Sequence, residues 1–266
     1  MQTRSYGIVG PWVVVLHGGP GTPGQMAPVA RRLADAYRVL EPHQRGSGAE
    51  ALTVARHVAD LDELIEAHCE GTRPALVGSS WGAMLALAYA AAHPSRAGPL
   101  VLIGCGTFDP VARDRMRATV EQRMDKGLRR RLDRLARDVP DPDKRSEAMG
   151  DLILPLYAYD VDAPDLEGAP CDARAHRETW SDMVRLQEEG LYPAAFAAIT
   201  SPVLMLHGAF DPHPGAMIRA SLGPHLPRLE YTEWERCGHY PWAERAVRDE
   251  FFAVLREWLA RHLAAT

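Results

Sequence analysis

The chain contains little cysteine and lacks the marks of secreted and membrane proteins. Its four cysteines lie far apart, at positions 69, 105, 171 and 237, so they form no paired metal-ligand motif. We interpret them as reduced thiols rather than as a disulfide framework. The first residues have no apolar signal-peptide core, and no apolar run approaches the length of a membrane-spanning helix. We therefore expect a cytoplasmic protein that has no membrane partner.

A strongly basic character is also absent. The formal net charge is -5, which argues against a general affinity for nucleic acid or anionic membranes. Internal repeats and low-complexity tracts are lacking, and a length of 266 residues suits one large α/β domain with an insertion. We expect no cofactor and no metal ion. We expect a small-molecule substrate, and the sequence leaves the oligomeric state open.

The most informative stretch is residues 78–82, Gly-Ser-Ser-Trp-Gly, between a short apolar run at 74–77 and a helical pattern at 84–89. A G-x-S-x-G motif between a strand and a helix is the context of a nucleophile elbow. The sharp turn needs Gly78 and Gly82, because side chains there would clash with the neighbouring elements. The turn would lift the hydroxyl of Ser80 clear of the sheet, which predicts Ser80 as a nucleophile.

A glycine-rich loop, residues 17–21, follows an apolar run at 12–16 that predicts a buried strand. Such a loop can direct a backbone N–H at an oxyanion that forms beside the serine. The N–H of Trp81, at the start of the next helix, can do the same. We therefore expect an oxyanion hole formed by Gly19 and Trp81, with His17 as a structural hydrogen-bonding residue.

Two aspartates follow predicted core strands and could orient a catalytic histidine. Asp211 comes shortly after the apolar run at 202–206, and Asp109 comes after the run at 100–103. Asp211 is favoured by its strand context and by its distance before the last candidate histidine. Asp109 also suits a turn before Pro110.

The candidate general base is His239, which lies in a loop ahead of a helical pattern at 243–262. A histidine between the last strand and the last helix can reach the serine and take its proton. The predicted triad is therefore Ser80, Asp211 and His239, in that order along the chain. Cys237 lies nearby, but without a base of its own it is a poor alternative nucleophile.

These motifs resemble those of the α/β-hydrolase superfamily over nearly the whole chain, and more narrowly those of proline iminopeptidases. The closer resemblance lies in residues 17–21 (His-Gly-Gly-Pro-Gly), 44–48 (Gln-Arg-Gly-Ser-Gly) and 78–82. It implies the same triad and oxyanion donors, with Arg45 as a structural anchor of its loop. The chain departs from that branch at His43 and Ser79, where aspartate and glycine are usual, and residues 107–200 contain no matching acidic stretch.

Alternating strands and helices predict an α/β-hydrolase fold with a mainly parallel sheet, helices on both faces and an inserted helical lid. The predicted core is residues 1–106 and 201–266, and the lid is residues 107–200, with breaks at 140–143, 163–165 and 167–170. Three lid glutamates could bind a substrate amino group or lie on solvated helix faces. They are Glu178, Glu188 and Glu189.

The predicted function is hydrolysis of an ester or amide bond of a small substrate through an acyl-enzyme. A proline iminopeptidase-type aminopeptidase is the alternative that the closer resemblance implies. Two others stay open. One is a non-catalytic binding protein on the same scaffold. The other is a metal enzyme that uses His207, Asp211, His213 and His239.

Overall fold

A seven-stranded sheet forms the centre of the molecule in the computed structural model, which describes residues 1–69, 71–162 and 170–263. In chain order the strands are β1 (Thr3–Tyr6), β2 (Trp12–Leu16), β3 (Arg38–Pro42), β4 (Ala75–Ser79), β5 (Leu100–Ile103), β6 (Val203–Gly208) and β7 (Leu229–Trp234). Their order across the sheet is β1-β3-β2-β4-β5-β6-β7. Only β1 is antiparallel to its neighbour, which confirms the predicted, mainly parallel sheet.

Helices cover both faces of this sheet. In the described part of the chain they are α1 (Ala27–Leu33), α2 (Val54–His68), α3 (Trp81–Ala92), α4 (Pro110–Arg123), α5 (Lys126–Asp138), α6 (Pro142–Tyr157), α7 (Ala173–Glu188), α8 (Gly215–Leu222) and α9 (Arg248–Leu263). A short 3-10 helix spans Ala194–Ala198. None of the described helices is long and apolar enough to cross a membrane.

The core consists of two apolar clusters separated by the sheet. Helices α2, α3 and α8 pack on the face that receives Val14 and Leu16 of β2. Helices α1 and α9 pack on the opposite face, which receives Val13 and Val15. Successive side chains of a strand point to opposite faces, so β2 is apolar throughout because both of its faces are buried.

Helices α4 to α7 lie between β5 and β6 in the chain, within the predicted lid. An aspartate precedes each of them and accepts a backbone N–H of the first helical turn, as expected of a helix N-cap. These residues are Asp109, Asp125, Asp141 and Asp172. The break predicted at 140–143 coincides with the start of α6. The breaks predicted at 163–165 and 167–170 lie outside the described residues, except for Pro170.

Candidate active site

Ser80 occupies a sharp turn between β4 and α3. Its backbone has φ 53° and ψ −116°, and among the described residues it is the only non-glycine residue with positive φ. Such a conformation is costly for a residue with a Cβ, and strain of this kind is concentrated at functional sites. The backbone N–H of Ser80 donates to the carbonyl of Ile103 over 2.8 Å, which fixes the turn to the end of β5.

The two glycines of the motif have no room for a side chain. A Cβ on Gly78 would lie 2.2 Å from the carbonyl oxygen of Gly82, and one on Gly82 would lie 2.2 Å from the carbonyl oxygen of Leu16. Contacts this short with backbone atoms cannot be relieved by rotating a side chain. The glycines therefore allow strand, turn and helix to pack closely enough for the bend at Ser80.

Asp211 and His239 form a short hydrogen bond inside the protein. Nδ1 of His239 donates to Oδ2 of Asp211 over 2.5 Å, and the two residues are 4% and 5% exposed. Burial alone would raise the pKa of Asp211. Electrostatic interaction and hydrogen bonding with His239 and His213 outweigh it and hold the pKa well below its usual range. Asp211 is therefore ionised at neutral pH and selects the tautomer of His239 whose Nε2 can accept a proton.

The fold brings Ser80 and His239 to the same strand end. β4 and β5 are neighbours with Ser79 opposite Ile103, and Ser80 is hydrogen-bonded to Ile103. The next residue, Gly104, lies directly against the histidine, since a Cβ there would be 3.0 Å from Nδ1 of His239. The serine and the Asp211–His239 pair thus both lie at the carboxyl end of the parallel strands, where ligands bind in open α/β sheets.

The two candidate oxyanion donors, Gly19 and Trp81, are near Ser80 in the structure. A Cβ on Gly18 would be 3.1 Å from Cβ of Ser80, so the loop that contains Gly19 packs against the serine. Gly19 has φ 42°, and its carbonyl accepts the N–H of Thr22 over 2.9 Å. Trp81 is the first residue of α3, where a backbone N–H has no acceptor within the helix. Both residues therefore lie beside Ser80, Trp81 as its neighbour in the chain and Gly19 in the loop that packs against it.

His17 has the surroundings of a structural residue. Its ring is fully buried, and burial lowers its pKa to about 4, so it is neutral. Nδ1 is 2.8 Å from the carbonyl oxygen of Gly18, and Nε2 accepts the backbone N–H of Gln44 over 3.1 Å. Gln44 in turn accepts the indole N–H of Trp81 over 2.6 Å. The ring therefore links the glycine loop to the elbow and has no free nitrogen for proton transfer.

The rival residues are engaged elsewhere. The carboxylate of Asp109 caps α4 by accepting the N–H of Ala112 over 2.8 Å. Arg45 makes two hydrogen bonds to Asp60, at 2.6 and 2.8 Å, as a loop anchor would. Cys237 is buried, and burial raises the pKa of its thiol, which disfavours the nucleophilic thiolate.

Two of the three lid glutamates pair with arginines. Glu178 accepts from Arg174 over 2.6 Å and from the backbone N–H of Leu52 over 2.9 Å. Glu189 accepts from Arg185 over 2.7 and 2.8 Å. Glu188 is exposed. Two of these carboxylates are therefore paired with arginines and the third faces solvent. The three glutamates do not form an acidic cluster.

Two residues near the Asp211–His239 pair were not predicted as part of a serine site. His213 donates to Oδ1 of Asp211 from its backbone N–H over 2.9 Å and lies with Nδ1 2.8 Å from the same oxygen. The ring of Tyr157 meets that of His239 edge-on, with centroids 5.8 Å apart. The closeness of His213 and Asp211 was visible in the sequence, but no local pattern pointed to Tyr157.

The residues proposed for a metal site come only partly together. Asp211, His213 and His239 offer ligand atoms within 4.8 Å of one another. His207 is buried, and its Nε2 is 2.9 Å from the carbonyl oxygen of His213. The carboxylate of Asp211 is already hydrogen-bonded to two histidines through their Nδ1 atoms. This pattern fits an acid that orients histidine rings.

A model of the alpha/beta hydrolase family matches residues 13–253. The chain belongs to this family. Its sequence is 28% identical over 262 residues to 2-hydroxymuconate semialdehyde hydrolase from Pseudomonas sp. (strain CF600), a match that covers 95% of this chain and 88% of that relative. Its identity to proline iminopeptidase from Arabidopsis thaliana is 42% over 100 residues, which is 35% of this chain and 26% of that enzyme.

Solved structures of other alpha/beta hydrolases have the same fold. A thermophilic esterase from Thermogutta terrifontis superposes with a TM-score of 0.66 at 21% identity, covering 98% of this chain and 93% of the esterase. The family and the fold inferred from the motifs are therefore confirmed. The resemblance to proline iminopeptidases is confirmed over about a third of the chain.

Proposed function

We propose that this alpha/beta hydrolase is a serine hydrolase that cleaves an ester or amide bond of a small substrate. The observation that carries the proposal is the strained backbone of Ser80 beside the strand end that meets His239. A non-glycine residue is held at positive φ when a side chain must project from the turn. Such a serine needs a base, which we propose is His239. Its hydrogen bond to the buried, ionised Asp211 orients the ring for that role.

The proposed reaction proceeds in two acyl-transfer steps. Nε2 of His239 takes the proton of Ser80 Oγ as that oxygen attacks the substrate carbonyl, and Asp211 stabilises the imidazolium. The N–H groups of Gly19 and Trp81 hydrogen-bond the oxyanion. As the tetrahedral intermediate collapses, the bond to the alcohol or amine breaks, and the leaving group receives the proton from His239. Water then attacks the acyl-enzyme by the same route, releasing the acid and Ser80.

We propose that the substrate is a small ester, amide or related carbonyl compound rather than the N-terminus of a peptide. The arginine and solvent contacts of Glu178, Glu188 and Glu189 give no support to an amine site there. The relative that matches 95% of the chain is a semialdehyde hydrolase. Proline iminopeptidase activity is the second candidate, favoured by the 42% identity over 100 residues. A binding protein without activity is disfavoured, since no member of the proposed triad is missing.

The proposal includes the division of the chain. Residues 107–200 act as the lid that selects the substrate and excludes water from Ser80, and residues 1–106 and 201–266 form the core. A cytoplasmic location is part of the same proposal. It is supported by four free cysteines, three of them buried, as expected for a protein kept in a reducing compartment.

The test combines a fluorophosphonate probe with substrate hydrolysis. Wild type, Ser80→Ala and Ser79→Ala are assayed with short-chain p-nitrophenyl esters and with a prolyl anilide, with and without a chelator. Ser79 is the matched control, because its buried hydroxyl has no partner in the described structure and the residue adjoins Ser80. We expect labelling and turnover in wild type and Ser79→Ala, and their loss in Ser80→Ala by more than about a hundredfold.

Each other outcome selects a different function. Turnover of the anilide alone would establish the aminopeptidase. Loss of activity with the chelator would favour the metal enzyme. Labelling without turnover would mean an active serine whose substrate lies outside both classes, and no labelling of wild type would contradict the proposed function.

A further inference from the structure

Glu244 is a buried carboxylate next to the candidate base. The whole Glu244 residue is 0% exposed. Oε1 accepts the backbone N–H groups of Tyr159 and Gly238, both over 2.8 Å, and Oε2 accepts that of Asp160 over 2.6 Å. Burying a carboxylate is costly unless its oxygens are hydrogen-bonded. Here three peptide N–H groups supply that compensation, and they come from two separate stretches of chain.

The first stretch is residues 157–162, which begins at the last residue of α6; we call it the lid-exit segment because the chain leaves the lid helices α4 to α6 there. The second is the histidine loop, residues 237–245, which carries His239. Further backbone bonds join them, from Asp162 N–H to the Ala243 carbonyl over 2.8 Å and from Arg245 N–H to the Asp160 carbonyl over 3.0 Å. Val161 and Glu244 also form an isolated antiparallel bridge. The lid-exit segment and the histidine loop are therefore one hydrogen-bonded unit.

The base stands at the centre of this unit. The N–H of His239 donates to the carbonyl of Tyr157 over 2.8 Å, and the N–H of the preceding Gly238 donates to Glu244. A Cβ on Gly238 would lie 2.2 Å from the Tyr157 oxygen and 2.8 Å from Oε1 of Glu244. Two successive peptide groups that determine where the imidazole sits are thus both held, that of His239 by the Tyr157 carbonyl at the end of α6 and that of Gly238 by Glu244, which is itself bonded to Tyr159 and Asp160.

We propose that Glu244 is a positioning residue that sets the place of His239 by locking the histidine loop to the lid-exit segment. The inference rests on the proposed function of His239 as the base. Its consequence is that closure of the lid and alignment of the base are coupled. A displacement of the end of α6 would pull on the peptide of His239, and a shift of about 1 Å in a catalytic group can cost about 100-fold in rate.

The variant Glu244→Gln tests this with minimal change of shape. Glutamine has one carbonyl oxygen, so its NH2 group must face at least one backbone N–H that the carboxylate had satisfied, whichever way the amide is turned. Glu257→Gln, on the exposed face of α9, is the matched control. We expect kcat for an ester substrate to fall roughly 10- to 100-fold in Glu244→Gln with little change in KM, and no change in the control.

An active-site titration separates positioning from loss of folded protein. We expect the burst amplitude per mole of Glu244→Gln to match wild type, while the rate constant of acylation falls. A reduced amplitude with an unchanged rate constant would mean that Glu244 only stabilises the fold, and would overturn the proposal. Glu244→Asp, which keeps both acceptor oxygens on a shorter side chain, should lose less than Glu244→Gln. If neither variant folds, the proposal is also overturned.

Two measurements do not depend on activity. Hydrogen exchange at the amides of Gly238, Tyr159 and Asp160 should accelerate in Glu244→Gln and not in Glu257→Gln. The far-downfield proton NMR signal of the imidazole N–H that His239 donates to Asp211 should also shift or broaden in Glu244→Gln and not in Glu257→Gln. If wild type fails to react with the fluorophosphonate probe, the proposed function fails, while these two signals still decide whether Glu244 positions His239. Unchanged signals would contradict the inference.

Discussion

The ring of His213 stacks on the ring of His239, with centroids 4.9 Å apart and planes 23° from parallel. Both rings are bonded to the same carboxylate, His239 at Oδ2 and His213 at Oδ1 of Asp211. Each oxygen therefore has a ring partner, and the carboxylate is held in one orientation. His213 is thus expected to align Asp211, and through it the proposed base His239.

Replacing His213 should lower turnover through Asp211. In His213→Leu the side-chain donor to Oδ1 is lost, and removal of one hydrogen bond to a charged group is expected to reduce kcat roughly tenfold. In His213→Asn the amide nitrogen can occupy about the place of Nδ1, so most of the rate should return. The measurement is kcat and KM for an ester substrate in both variants. Equal losses would instead assign the effect to the lost ring stack.

Replacing Ser80 should separate strain from catalysis. Ser80→Ala keeps a Cβ at φ 53°, whereas Ser80→Gly removes it and relieves a conformation that costs about 1–3 kcal/mol. Both variants should be inactive. The glycine variant should have the larger free energy of unfolding, by about 1–2 kcal/mol after its greater unfolded-state entropy is allowed for. Urea denaturation measures the difference, and equal stabilities would mean that the turn is not strained.

A site residue could be predicted when the residues that determine its position are close to it in the sequence. The bend at Ser80 is specified by the glycines within two residues of it, so the motif identified it. Asp211 and the loop of His239 follow from the rule that strand ends of a parallel sheet converge. Asp109 meets the same rule, and only the structure gives its carboxylate the role of helix cap.

The remainder of the site depends on contacts between distant segments. Tyr157 reaches His239 only because the end of α6 packs on the histidine loop, and no periodicity in residues 107–200 encodes that docking. His213 was considered only as a metal ligand. Its spacing from Asp211 was visible, but the choice of carboxylate oxygen and the stack on His239 depend on the folded loop. The contacts that residues 107–200 make with the rest of the chain are thus the part that sequence reasoning lacked.

Two glycine-to-alanine changes should have opposite effects on stability. A Cβ on Gly78 would meet the backbone of Gly82 at 2.2 Å, whereas a Cβ on Gly150, in α6, has no heavy atom within 4 Å. We expect Gly78→Ala to destabilise by about 3 kcal/mol through overpacking and to abolish activity by moving the elbow. Gly150→Ala should stabilise by about 0.5–1 kcal/mol through helix propensity. Thermal melts of both variants check the sign, and a tolerated Gly78→Ala would contradict the close packing described above.

As the pH falls, buried histidines should lower the free energy of unfolding at pH values above those at which carboxylates become protonated. Burial lowers the pKa of both His17 and His57 to about 4, from an ordinary value near 6.5. Between these values the unfolded chain binds a proton that the folded chain does not, so the free energy of unfolding falls as pH decreases from about 6.5 to 4. At pH 5 each histidine costs about 2 kcal/mol relative to pH 7.

His57 offers the cleaner test, because His17 supports the loop of Gly19. His57 lies in α2 and bonds through Nε2 to the hydroxyl of Thr179 over 2.9 Å, a contact that glutamine can replace without a titrating group. Wild type, His57→Gln and the exposed control His68→Gln are denatured with urea at pH 7 and at pH 5. For each protein this gives the change in the free energy of unfolding between the two pH values. His57→Gln should lose about 2 kcal/mol less than the other two over this interval. An equal loss in all three would mean that His57 is protonated in the folded state, contrary to its burial against Thr179 of α7.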